Sequence, residues 1–65
     1  MPSSVIANMR YDPISSSLVI AFVSGVIYRY KEVPEEKYEA MKASRSKGWY
    51  HNKYIKPNYD FEKLN

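Results

Sequence analysis

The chain has no cysteine, which removes two common supports of short proteins. Neither a disulfide nor a thiolate metal site is available, and a reducing compartment fits that composition. Histidine is nearly absent as well. One histidine among scattered carboxylates offers no metal-ligand spacing, so no metal or other cofactor is expected. The same scarcity leaves little from which to assemble a nucleophile, its base and an acid. The chain therefore reads as non-enzymatic, and a small hydrolase centred on His51 with Tyr50 or a lysine ranks last among the functional readings. Long apolar runs are missing too. The longest spans Leu18 to Val23, far short of the ~20 residues of a membrane span, and "MPSSVIANMR" lacks the charged start and apolar stretch of a secretion signal. These absences lead to the expectation of a cytoplasmic protein without a membrane partner.

Size is the other shortage. Residues 1–65 make a single domain, and a chain this short buries only about 60% of the surface its unfolded form exposes. Such a core is worth roughly 3 to 5 kcal/mol. Self-association, most simply as a homodimer, is the expected supplement.

What the chain does have is tyrosine and clustered positive charge. Seven tyrosines and one tryptophan occur in 65 residues, with a net charge of +3. The charge is uneven: Ala40 to Tyr59 carries Lys42, Arg45, Lys47, Lys53 and Lys56 with no acid. That half of the domain should attract anions.

Periodicity supplies the elements. Val5, Ala7, Met9 and Tyr11 alternate with Ile6, Asn8 and Arg10, and Asp12-Pro13 ends that run with a turn signal. "SLVIAFV", "SG" and "VIYRYKE" then read as a hairpin rich in β-branched and aromatic residues. A two-residue Ser24-Gly25 loop would set Tyr28 and Tyr30 beside Val19 and Ala21, whereas a three-residue Val23-Ser24-Gly25 loop pairs Phe22 with Val26. The longer loop is preferred. It puts Gly25 at a left-handed position and gathers Leu18, Ile20, Phe22, Val26, Tyr28 and Tyr30 on one face. Val19, Ala21 and Ile27, with Arg29 and Lys31, are left on the other, and this open apolar strip is the candidate oligomer interface.

A helix is expected from Pro34, with Glu35, Glu36 and Glu39 near its start and Gly48 closing it as a C-cap. Tyr38 and Met41, with Ala40 or Ala43, form its narrow apolar stripe. The fold class is thus α+β: a three-stranded antiparallel β-meander with one α-helix packed on one face and an aromatic-basic C-terminal segment.

That last segment, "WYHNKYIKPNY", combines aromatic faces with lysines, as ligands bearing flat rings and phosphates require. Big rings also fill the cores of small domains, yet eight of them exceed what a three-strand, one-helix core holds. Trp49 is the first choice for exposure. The candidate ligand-binding residues are Trp49, Tyr50, His51, Asn52, Lys53, Tyr54 and Lys56, with Tyr28, Tyr30, Arg29, Arg45 and Lys47 in support. Tyr28 and Tyr30 serve as core along their rings and as polar contacts at their hydroxyls. The partner is a small phosphate-bearing nucleotide, sequestered by stoichiometry, or single-stranded RNA; the alternative is a protein-interaction module acting through the open sheet face.

The order Tyr11-Asp12, Leu18-x-Ile20-x-Phe22, Gly25, Tyr28-x-Tyr30, Val33-Pro34, Tyr38, Ala43, Ser46-Lys47-Gly48, Tyr50-x-Asn52, Ile55, Tyr59 resembles the KTSC domain family. The family takes its name from the C-terminal extension of some lysyl-tRNA synthetases. The resemblance spans Tyr11 to Leu64 and implies a small bacterial or phage protein, with RNA binding suggested for the family. His51 departs from it, since a second aromatic usually follows the position of Tyr50.

Overall fold

Gly25 fixes the central hairpin. In the computed structural model, which describes residues 6–64, its φ is 98°, a conformation that any side chain would strain. Phe22 N–H donates to the Val26 carbonyl at 2.8 Å and Gly25 N–H donates to the Phe22 carbonyl at 2.9 Å, which closes the three-residue loop. Strands β2 (Ser17–Phe22) and β3 (Ile27–Tyr30) accordingly pair Leu18 with Tyr30, Ile20 with Tyr28 and Ala21 with Ile27. Leu18, Ile20, Phe22, Tyr28 and Tyr30 share one face of the sheet. Val19, Ala21, Ile27 and Arg29 share the other.

Strand β1 (Ile6–Asp12) runs antiparallel to β2, but its alternation is interrupted. Ile6 pairs with Phe22 and Asn8 with Ala21, so Ala7 is an extra residue and forms a bulge. Ile6, Met9 and Tyr11 therefore turn to the core, in place of the unbroken series through Ala7; Val5 lies outside the described residues. The Asp12 carboxylate accepts from the Ile14 N–H and the Ser15 hydroxyl, each at 3.0 Å, which builds the turn that Asp12-Pro13 signals.

Two expectations need correction. The sheet has four strands, in the order β1-β2-β3-β4, because β4 (Phe61–Lys63) pairs with β3 and adds one strand to the three expected. Its cause is the bare edge of β3. Lys31 N–H donates to the Asp60 carbonyl and Leu64 N–H to the Ile27 carbonyl, both at 2.8 Å, so backbone groups that an edge would leave open are satisfied.

The single helix is also two. Helix α1 (Glu35–Ala43) has Pro34 as its N-cap, and helix α2 (Lys47–Tyr50) runs directly into a π-helical turn (His51–Ile55) closed by Lys56 N–H to the His51 carbonyl at 2.8 Å. Serines make the break. The Ser44 hydroxyl donates to the Ser46 carbonyl at 3.0 Å, and the Ser46 hydroxyl accepts from Trp49 N–H at 3.2 Å, capping the second helix. Gly48 consequently lies inside α2, and Ala40 and Ala43 face solvent while Met41 is buried and Tyr38 half-buried.

Both helical segments cover one sheet face. Leu18, Ile20, Tyr30, Val33, Met41 and Ile55 form the buried core between them. Tyr11 stacks on Tyr38 with centroids 5.2 Å apart, and its hydroxyl donates to the Val33 carbonyl at 2.7 Å, tying the first strand to the entry of α1. The architecture is α+β, and no helix among the described residues is long and apolar enough to cross a membrane.

Candidate functional site

Helical phase sorts the aromatic-basic segment into two sides. Gly48, His51 and Ile55 recur at three- and four-residue intervals and are buried, while Trp49, Asn52, Lys53 and Lys56 are exposed and Tyr50 and Tyr54 lie between. One expected patch is thus two separate sites.

The inner site forms where His51 meets the sheet. His51 is only 5% exposed, and its Nε2 shares a 2.6 Å hydrogen bond with the Tyr30 hydroxyl. From this pair the rings close on one another. His51 meets Phe22 at 5.3 Å, Phe22 meets Tyr28 at 5.6 Å, Tyr28 meets Phe61 at 4.8 Å, Phe61 meets Tyr30 at 5.5 Å, and Tyr30 returns to His51 at 5.3 Å. Most of these contacts are edge-to-face, the arrangement that ring quadrupoles favour. The five rings line a cavity of about 440 Å³, whose remaining wall is the hairpin tip at Val23, Ser24 and Val26 together with Asn52 and Lys56. That volume falls in the range of roughly 300 to 1,000 Å³ typical of small-molecule sites.

Burial holds the floor of this cavity neutral. Desolvation lowers the pKa of His51 from its ordinary 6.5, a hydrogen bond with Asn52 opposes that shift, and the charge of Lys56 adds to it. Tyr30 is pushed up to about 12, first by burial and then by Tyr28. At neutral pH the pair is an uncharged donor and acceptor. Among the described residues that line the cavity, Lys56 is the one cation and none is an acid.

The outer site is a stack on the solvent side of the same turn. Trp49, 55% exposed, meets Tyr54 edge-on at 5.9 Å, and Tyr54 meets Tyr50 at 4.8 Å. Lysines lie over these rings: Lys53 Nζ is 5.6 Å from the Trp49 centroid, and Lys37 Nζ is 5.6 Å from that of Tyr54.

Of the expected ligand residues, Tyr28, Tyr30, His51, Asn52 and Lys56 line the cavity, while Trp49, Tyr50, Lys53 and Tyr54 make up the outer stack. Arg45 lies in the link between the helices and Lys47 opens α2; neither lines the cavity. Arg29 is on the opposite sheet face, where Glu62 Oε1 stands 3.5 Å from it and 3.3 Å from Lys31. Val19, Ala21 and Ile27 are half-buried there and border a shallow depression of about 210 Å³ with Asn8 and Arg10. Sequence reasoning missed Phe61 and Lys37 as site residues and assigned Phe22 to the core alone. Phe61 did carry a signal, since it alternates with Asp60 and Glu62 as a strand residue would.

Comparison with known proteins agrees with this architecture. The KTSC domain family matches residues 2–59. A lysine–tRNA ligase of Nostoc sp. is 39% identical over 61 residues, which cover 94% of this chain and 11% of the ligase, so the chain spans about a tenth of that relative. A protein of Stutzerimonas stutzeri is 36% identical over 59 residues, covering 91% of this chain and 83% of that protein. The crystal structure of a KTSC domain protein from Yersinia pestis superposes with a TM-score of 0.90 at 33% identity, covering 97% of this chain and 89% of that one.

Proposed function

The chain belongs to the KTSC domain family, and from that premise and the ring-lined cavity we propose that it is a non-enzymatic binding module for a small nucleotide-type anionic ligand. One observation carries the reading: five aromatic side chains close on one another around a cavity with Lys56 and Asn52 among its lining residues. Flat rings stack on such walls for ~1 to 3 kcal/mol each, and lysine supplies the anion contact. A domain without turnover acts by stoichiometry. In the cytoplasm it would lower free ligand by mass action, as a carrier or a sink.

Thermal-shift measurement of the whole chain against nucleoside mono-, di- and triphosphates, cyclic dinucleotides and short RNA tests this proposal. A ligand present at 100 times its dissociation constant should stabilise the domain by ~2.7 kcal/mol, several degrees for a chain of this size. No shift with any of them would overturn it.

Two further observations keep other partners in play. The outer stack with Lys53 and Lys37, together with the lysine–tRNA ligase relatives, supports single-stranded RNA as the nucleotide-type ligand instead. The depression beside Val19, Ala21 and Ile27 supports a protein-interaction or homodimerisation module on the open sheet face. Ile27→Glu should then yield a folded monomer by sedimentation. A monomeric unmodified chain at micromolar concentration contradicts homodimerisation on that face.

A further inference from the structure

The charge inventory of the cavity narrows the ligand, and this step rests on the nucleotide reading above. Rings make up half of the ten described residues that line it, and Lys56 is the only charged one among these described residues. Ser24, Asn52 and the Tyr30–His51 pair are the other polar side chains of the described lining, and none of these brings a second positive charge at neutral pH. A triphosphate would therefore hold most of its charge where nothing in the lining neutralises it. Those groups would stay hydrated at the mouth and add little to affinity. A ligand with one charge meets its match in one lysine.

We infer that the pocket takes one flat ring attached to a single negative charge, of the nucleoside phosphodiester class, and gains nothing from further phosphates. The ring sits among Phe22, Tyr28 and Phe61, and the phosphodiester lies toward Lys56. The cavity's 440 Å³ is at the small end of small-molecule sites, which suits one nucleotide unit.

Calorimetric titration of the full chain with the four common ribonucleosides, their 3′,5′-cyclic monophosphates and their triphosphates tests this. For the preferred base, the cyclic monophosphate should bind about two- to tenfold tighter than the nucleoside, the gain expected of a charge-assisted contact to an exposed lysine. The triphosphate should fall within about threefold of the cyclic monophosphate, because its extra charges find no partner. Lys56→Met should abolish the gap between nucleoside and cyclic monophosphate, and Lys42→Met, at an exposed position of α1, should leave it intact. A triphosphate more than about tenfold tighter than the cyclic monophosphate, or a gap that survives in folded Lys56→Met, overturns the single-charge inference while leaving nucleotide binding standing. Absence of binding across all twelve compounds overturns the single-charge inference, and the nucleotide reading then stands or falls with the thermal-shift series above.

Discussion

Trp49 and His51 are two residues apart, and they end on opposite sides of the same helical turn. His51 is sealed against Tyr30 with its ring inside the aromatic circuit, whereas Trp49 lies open to solvent beneath Lys53. Composition treats the two as members of one patch; the 100° step between successive helical residues separates them. The difference teaches that a run of aromatics and lysines describes a supply of contacts, and that helical phase decides which become a pocket and which remain a surface.

The contrast can be broken most forcefully at Tyr30. This ring is 1% exposed and shared between core and cavity, so Tyr30→Ala should cost about 3 to 5 kcal/mol, enough to unfold a domain this small. Circular dichroism in a denaturant series reads the loss. Tyr30→Phe keeps the ring but leaves His51 Nε2 without its 2.6 Å partner, and a drop of about 1 to 3 kcal/mol is expected.

Acid should act on the inner site. The His51 pKa is lowered from 6.5, mainly by burial, so below about pH 6.5 the unfolded chain takes up a proton that the folded one resists. Stability is full above that pH and declines as pH falls toward the depressed folded value. Melting curves between pH 8 and 4 should show this decline, and His51→Gln should flatten it across the same window. The alkaline limb runs the other way. Tyr30 titrates at about 12 in the fold against 10.0 ordinarily, so stability falls once pH rises above about 10. The smallest effect belongs to the outer site: Trp49→Ala should change stability by no more than about 0.5 kcal/mol, since the residue is 55% exposed.

Much of this arrangement was legible in the sequence, for local reasons. Gly25 needs no tertiary context to choose a left-handed turn, and that choice set the hairpin register and turned both tyrosines toward the core. Tyr38 and Met41 likewise face inward because helical spacing aligns them. The rest depended on partners far along the chain. Three residues at Phe61–Lys63 have no strand signal strong enough to stand alone, and they pair only because β3 offers an open edge. The circuit of rings needed Phe61, so the pocket could not be drawn without β4. Ser44 and Ser46 did announce the helix break, but two serines beside Gly48 also fit the end of one longer helix. The bulge at Ala7 turns Ile6 to the core and Ala7 away from it against an otherwise regular alternation, and nothing local requires it.

The most direct measurement is a calorimetric titration of the best-binding nucleotide into three chains: unmodified, Phe61→Ala and Trp49→Ala. Both replaced rings are about half exposed, at 49% and 55%, so each variant should keep its fold and differ only in which aromatic site is damaged. The expected result is a loss of roughly 5- to 150-fold in affinity for Phe61→Ala, the equivalent of one stacking contact, with Trp49→Ala within about twofold of the unmodified chain. A comparable loss in Trp49→Ala, with Phe61→Ala unaffected, would contradict the pocket and move the ligand to the outer stack.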